Sequence, residues 1–248
     1  VDKQADVNIK FKKIRKNKMN RRLFLEKAMI MGVGALTLLK GTKPWAKGLI
    51  TEASATEPPF SGQDVLLLPP FEKNSPFPLE RALLERKTVR SYDPGRTLTL
   101  PEISRLLWAA DGVNRDNGRR TAPSALARYP VEILASLPQG VYRYEPKPHR
   151  LVRVMADDLR SRIPVQGGFK QAGMIVLYVI DKEKVPGKDL GWADLEIGCI
   201  GQNLFLEAAA LGLGSCIFAY VNTADVSKNL GLKDSQVLRI AQAVGPVK

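Results

Sequence analysis

Gly191-Trp192-Ala193-Asp194-Leu195-Glu196-Ile197-Gly198-Cys199-Ile200-Gly201-Gln202-Asn203-Leu204-Phe205-Leu206-Glu207-Ala208-Ala209-Ala210-Leu211-Gly212-Leu213 decides the class of fold. Its only charges are Asp194, Glu196 and Glu207. Trp192, Leu195, Ile197, Ile200, Leu204, Phe205, Leu206, Ala209 and Leu211 run nearly all the way round a helical projection. A helix that is apolar on every side is buried on every side. A monomer with this helix central to its own core would satisfy that. So would an obligate homodimer in which a second subunit covers one face, and the small size of the domain favours the dimer. Gly212 and Gly214 then end the helix.

Working outward, the flanking elements alternate without βαβ regularity. Met174–Ile180 is an unbroken apolar run rich in β-formers, expected as a central strand covered on both faces. Val131–Ala135 alternates as a strand and is closed by Pro138-Gln139-Gly140. Val141–Tyr144 and His149–Val154 form a hairpin around Pro146-Lys147-Pro148. Pro78–Lys87 reads as a short helix, and Pro101 opens a second that ends at Gly112. After the long helix, Ser215–Val221 is expected as a strand, Ala224–Leu230 as a helix and Leu238–Val244 as the last strand. Helices and strands mixed in this way make the class α+β.

The beginning of the chain has a different character. Lys10, Lys12, Lys13, Arg15, Lys16 and Lys18 lead to Arg21-Arg22-Leu23-Phe24-Leu25 and the mostly apolar run Ala28–Leu39, with small residues Ala53-Ser54-Ala55 beyond. This layout predicts a twin-arginine signal, used for proteins that leave the cytoplasm already folded. The run is shorter than the roughly 20 residues that span a bilayer. An ordinary secretory signal and an uncleaved anchor are the other readings, and residues 1–18 read as an upstream extension. The expected organisation is therefore 1–55 as basic extension and signal, 56–78 as a Pro-, Ser- and Thr-containing linker, and 79–248 as the folded domain. The expected location is periplasmic or otherwise extracytoplasmic, with membrane contact only during export.

Composition removes several function classes. The formal net charge of +13 is concentrated in residues 1–50, which hold thirteen Lys/Arg against three Asp/Glu; the remainder holds 25 against 22. A nucleic-acid reading from overall charge would lean on the wrong residues. The single histidine, His149, excludes zinc sites that need two or three His ligands and leaves little room for a Ser-His-Asp triad. No metal is expected. Cys199 and Cys216 sit in apolar surroundings, as buried free thiols or, alternatively, as a disulfide. What survives is chemistry carried by a cofactor, by carboxylates or by lysine.

Three segments could carry it. In Arg86-Lys87-Thr88-Val89-Arg90 an extended backbone points residues 86, 88 and 90 the same way, so two guanidinium groups and a hydroxyl could converge on a phosphate. A solvent-facing basic run at a helix end is the alternative. Thr121-Ala122-Pro123-Ser124-Ala125-Leu126-Ala127-Arg128-Tyr129-Pro130 offers small residues that let a flat ring approach the backbone, though ordinary turns share that composition. Ser215-Cys216-Ile217-Phe218-Ala219-Tyr220 leaves the long helix as a strand.

In this order the three segments resemble the nitroreductase-like flavoproteins, closest to the branch that includes the azoline (thiazole/oxazole) dehydrogenases of peptide natural-product synthesis. Arg86–Arg90 is similar to the family's Arg-x-Ser-x-Arg, with Thr88 for Ser. Pro123–Pro130 is similar to that branch's Pro-Ser-Ala-Gly-x-x-Tyr-Pro, and Gly140-Val141-Tyr142-Arg143-Tyr144 to its Gly-x-Tyr-x-Tyr. Leu126 stands where the branch has Gly, and Arg128 replaces an apolar residue. The resemblance covers about residues 79–247.

The resemblance implies an α+β homodimer with a central mixed or antiparallel sheet flanked by helices and the long buried helix at the dimer interface. It implies non-covalent FMN in a pocket at that interface. Arg86, Thr88 and Arg90 would hold its phosphate, with Lys87 contributing through its backbone. Pro123, Ser124 and Ala125 would border the ring or ribityl chain on one side, and Ile217, Phe218, Ala219 and Tyr220 the other. Gln202 and Asn203 would point into the pocket or serve as structural glue. Solvent, Tyr129 or Tyr220 would supply protons, since the place that often holds Glu in the wider family is about Ala219 here. The activity implied is hydride transfer between a reduced donor and a small flat acceptor such as a nitroaromatic, quinone or enone. Outside the cytoplasm a protein or quinol would replace NAD(P)H as donor. A peptide azoline dehydrogenase, and a flavin-binding protein closed by Leu126 and Phe218, are the other two expectations.

Overall fold

The computed structural model describes residues 63–73 and 76–248. The expected signal and extension, and residues 56–62 and 74–75 of the linker, lie outside the described residues. Seven strands form one sheet: β1 (Val65–Leu67), β2 (Val131–Leu137), β3 (Gly140–Glu145), β4 (Arg150–Met155), β5 (Met174–Asp181), β6 (Gly214–Phe218) and β7 (Gln236–Gly245). Their spatial order is β1-β4-β3-β2-β5-β7-β6, and every pairing between them is antiparallel. Among the described residues four α-helices accompany it: α1 (Leu79–Glu85), α2 (Leu100–Asp111), α3 (Gly191–Ala210) and α4 (Thr223–Asn229). Within the expected linker, Val65–Leu67 pairs with β4 as a three-residue edge strand.

β5 shows why the sheet sits at the centre. Met174, Val176, Tyr178 and Ile180 enter the core layer shared with α2 and α3, while Ile175, Leu177 and Val179 enter a second layer beneath α4. Period-two alternation of wholly apolar side chains has only this solution, a strand with cover on both faces. β2 and β3 divide in the same way, with Ile133, Ala135, Tyr142 and Tyr144 on the helical side and Leu134 and Val141 on the other.

α2 begins with a full capping box. Glu102 N–H donates to Thr99 Oγ1, Thr99 N–H donates to Glu102 Oε2 at 2.8 Å, and Pro101 lies in the first turn. The box satisfies two donors that would otherwise be lost at the helix start. α2 packs on α3, and the Arg105–Glu207 ion pair at 2.7 Å joins them.

α3 departs from full burial. Ala193, Ile197, Ile200, Gly201, Leu204 and Ala208 face the sheet and α2, but Trp192 is 49% and Leu195 62% exposed. The face left open in one chain is as apolar as the face that is covered. The helix also stops at Ala210, three residues before the expected Leu213, and Gly212 adopts φ +69 in the turn into β6.

Candidate functional site

β6 and α3 make a close contact at which the chain after α1 arrives. A Cβ on Gly201 would stand 2.6 Å from Ile217 Cδ1, and a Cβ on Gly214 would stand 2.7 Å from the Val89 Cβ. Glycine at these two positions lets helix, strand and incoming segment approach within backbone reach. Thr88 pairs with Ser215 in an isolated parallel bridge, and Val89 N–H donates to Ser215 O at 2.9 Å. Residues 86–90 therefore lie as a short extended segment along the outer side of β6.

Alternation along that segment follows the expected pattern. Val89 turns inward against Gly214, while Thr88 and Arg90 are exposed and Arg86 is half-buried with its guanidinium 5.5 Å from the Phe205 ring centroid. Lys87 is exposed as well. None of Arg86, Lys87 and Arg90 forms an ion pair with a carboxylate among the described residues, although neighbours such as Arg81 and Arg96 do. Three cations in five residues without acidic partners fit a dianion, which supplies the charge that the protein does not.

A buried polar network holds the floor of this contact. Tyr178 OH donates to Gln242 Oε1 at 2.6 Å, and Gln242 Nε2 donates to Ser215 Oγ at 2.9 Å and to Gly201 O at 3.2 Å. The Ser215 hydroxyl donates to Ala243 O at 3.0 Å. Every donor in the chain has an acceptor, so the network rigidifies the junction of β5, β6, β7 and α3. Burial drives the Tyr178 hydroxyl well above the usual phenol range, and it acts as a fixed donor.

The strand leaving α3 is shorter than expected. β6 ends at Phe218; Ala219 and Tyr220 turn away, with Tyr220 O accepting from Val165 N–H and Ala219 O from Val221 N–H. Tyr220 is exposed. Phe218 does not present its ring to any site: it stacks on Phe169 at 4.3 Å between centroids and 6° between planes, in the layer beneath α4. Strand alternation explains this, because Ile217 takes the face toward α3 and sends Phe218 to the opposite one. Phe218 can offer only its backbone, and Phe218 as a plug over the site is corrected accordingly. Leu126 is 79% exposed and plugs nothing within one chain.

Pro123, Ser124 and Ala125 lie in a loop beside a different part of α3. Glu196 is beside the Ser124 hydroxyl, nine residues before Phe205, so this segment and Arg86 sit roughly 13 Å apart along the helix axis. Pro123 is exposed, and Ser124 and Ala125 are half-buried. The loop is locally strained: Leu126, Ala127 and Tyr129 have φ of 53, 54 and 48. Only glycine takes that region freely. The departure from Gly at 126 therefore leaves the backbone conformation that Gly would serve. Asn203 borders a groove between α1, α2 and α3 with Leu79, Trp108 and Leu206, while Gln202 is exposed.

Sequence reasoning missed what lies under that loop. Asp111 and Glu196 are 1% and 2% exposed. Burial pushes the Asp111 carboxyl up to about 7, against the pull of Arg120 and helped by the nearby Glu196 charge. Burial also raises Glu196, with Ser124, Val131 N–H and Arg120 pulling the other way. Two signals were in the sequence: an acid as the last residue of a helix opposes the helix dipole, and an acid stood in an all-round apolar helix. Both cysteines are free, Cys216 buried and Cys199 half-buried.

With this geometry in hand, the comparisons with known proteins are specific. The Nitroreductase family matches residues 83–246. A Methanocaldococcus jannaschii protein named as a nitroreductase is 30% identical over 175 residues, 64% of this chain and 87% of the relative. A crystal structure from Ralstonia eutropha, also named as a nitroreductase, has 30% identity and a TM-score of 0.69, covering 75% of this chain and 90% of its own. A chain of the Escherichia coli microcin synthetase McbBCD complex with truncated pro-MccB17 bound shares the fold, with a TM-score of 0.57 at 22% identity, covering 100% of this chain and 95% of its own. A match over most of the folded residues, on the strands and helix that build the site, places this chain in the nitroreductase family of oxidoreductases.

Proposed function

We propose that the protein is an exported FMN-dependent oxidoreductase that moves hydride between a reduced donor and a small flat acceptor such as a nitroaromatic, quinone or enone. The observation that carries this reading is the carboxylate-free cationic segment 86–90, fixed against β6 and α3. Arg86, Thr88 and Arg90 hold the FMN phosphate, and Lys87 adds its backbone. Pro123, Ser124 and Ala125 border the ring system on one side, and the backbone of Ile217, Phe218, Ala219 and Tyr220 the other. FMN, when bound, supplies a ring that accepts and releases hydride. The protein's part is to position, exclude water and deliver protons. Tyr129 suits the last role, because its hydroxyl accepts from Arg120 N–H at 3.3 Å and keeps its own proton to donate.

The open apolar face of α3, with Trp192 and Leu195, supports a homodimer in which a second copy covers it. The 13 Å offset between the phosphate segment and Ser124 suits a ligand of nucleotide length, and a partner would close its open side. Export by the twin-arginine route accounts for a cofactor loaded in the cytoplasm, since a ligand bound only by the folded state stabilises it before transport. A periplasmic protein of this kind takes electrons from a protein or quinol. Peptide azoline dehydrogenation is the second reading, supported by the fold shared with the microcin synthetase chain and by Pro123–Pro130.

The purified full-length chain should be yellow with a flavin spectrum. Dithionite should bleach it, and a quinone or nitroaromatic should restore the colour. Colourless, folded protein that refuses added FMN overturns the cofactor assignment. Reoxidation only by an azoline peptide would move the reading to dehydrogenation.

A further inference from the structure

Asp111 ends α2 and Glu196 lies in the second turn of α3. Three of their four carboxyl oxygens, Asp111 Oδ1 and both of Glu196, have no hydrogen-bond partner among the described residues. The fourth, Asp111 Oδ2, accepts from Arg120 Nη1 at 2.5 Å. Each carboxyl feels the Arg120 charge, and Asp111 feels Glu196. One guanidinium neutralises one carboxylate. The Ser124 hydroxyl and Val131 N–H lie near the Glu196 carboxyl without closing a well-formed hydrogen bond. A second ionised carboxylate, so buried and so weakly held, is costly in a protein interior, whereas two carboxyls in one site readily retain a proton.

We propose that Asp111 and Glu196 hold one proton between them on the acid side of neutrality, and that this proton clamps the 121–130 loop onto α3 through Arg120 and Tyr129. The connections form a closed circuit. From Asp111 the path runs to Arg120, whose guanidinium lies 4.2 Å from the Tyr129 ring centroid and whose N–H meets the Tyr129 hydroxyl. Tyr129 N–H donates to Ser124 Oγ at 2.8 Å, and Ser124 adjoins Glu196. Leu126, Ala127 and Tyr129 occupy the left-handed region, so the loop keeps its shape only while such anchors hold it. With the proton present the two carboxyls and Arg120 sum to neutrality. Without it Arg120 is shared by two anions, which draws its guanidinium off the Tyr129 ring, and the Ser124 hydroxyl with it, toward Glu196.

The surrounding groups leave this titration to the pair. Tyr144 on β3 and Tyr178 on β5 face Asp111, and burial keeps both neutral; their hydroxyls are held by His149 and Gln242. A cavity of about 290 Å³ opens beside Asp111, with Glu132, Arg143, Glu145, Lys147 and Lys184 at its wall. There Arg143 pairs with Glu145 and Lys184 with Glu132, which leaves Lys147 as the unmatched charge. The Asp111 carboxyl, raised to about 7, gives up the shared proton close to neutrality. That the clamped loop borders the flavin rests on the reading above; the clamp itself does not.

Hydrogen exchange of the full chain, without added flavin, tests it between about pH 6 and pH 9, each peptide being corrected for the intrinsic pH dependence of exchange. Peptides covering 121–130 should lose about tenfold more protection than β5 as the pH rises through about 7. Glu196→Gln should abolish that extra loss, and so should Asp111→Asn. Infrared spectra of the unaltered protein should lose one buried protonated carboxyl band over the same range, a readout that survives if either variant fails to fold. Equal behaviour of the loop and β5, or no loss of the band, overturns the clamp. Colourless protein in the flavin assay leaves this result intact, so the two proposals fail separately.

Discussion

The two segments that flank α3 are opposites in charge balance. Residues 86–90 place three cations on an exposed edge with no acidic partner among the described residues. Residues 121–130 cover two buried carboxyls that share one cation. In the first segment the missing charge can come from a ligand; in the second it comes from a proton. An imbalance at the surface is thus a binding site in waiting, and an imbalance in the interior is a titration.

The largest effect should come from removing the surface cations. Each charged hydrogen bond contributes about 1.5–3 kcal/mol, so changing Arg86 and Arg90 together to Ala should weaken FMN binding by roughly 100-fold or more. Absorbance titration checks this, with Lys228→Ala as a control in the exposed polar helix α4. Unchanged flavin occupancy would place the dianion elsewhere.

The interior imbalance predicts a pH slope. Asp111 has a folded value of about 7 against an ordinary 3.8, so the folded state binds the proton more tightly. Its contribution is complete below about 4, falls as the pH rises through the interval, and is fully lost above about 7. Asp111→Asn should flatten that fall by about 2–4 kcal/mol between pH 4 and pH 8, measured by denaturant titration at each pH. A slope unchanged in the variant would show that Asp111 ionises freely.

Packing at the junction predicts a smaller effect. Gly201→Val forces a branched side chain against Ile217 and Gln242 and should cost about 1–3 kcal/mol, read as a lowered Tm. Flavin affinity should fall with it, because the same contact seats Ser215 beside Thr88. The smallest effect is a gain. Leu126→Gly relieves a left-handed residue and should stabilise by no more than about 1 kcal/mol, because the greater chain entropy that Gly loses on folding offsets part of the relief. Destabilisation instead would mean that the exposed leucine is covered in the assembled protein.

Much of the fold was legible because it depends on local pattern. The apolar run of β5, the Pro146-Lys147-Pro148 hairpin and the all-round apolar helix each admit few arrangements, and the structure contains all three elements. The end of β6 was not legible. Ala219 and Tyr220 continue an acceptable strand composition, but Tyr220 O accepts from Val165, a residue 55 positions away that no local pattern announces. The direction of Phe218 was lost for a related reason: alternation tells which residues share a face, not which face meets α3. The cationic segment could be read because its chemistry is contiguous. Asp111, Arg120 and Glu196 come from two helices and a loop, and only their meeting makes them chemistry.

One consequence follows from the parallel pairing of Thr88 with Ser215. β6 is the last strand of the sheet, and the opposite border is the three-residue β1. A raw border strand invites other chains to add to it. Here the cationic segment shields that border, so whatever anchors Arg86 and Arg90 also guards the molecule against edge-to-edge self-association. If an anion holds that segment in place, its removal should show first in turbidity, before any change in the folded core.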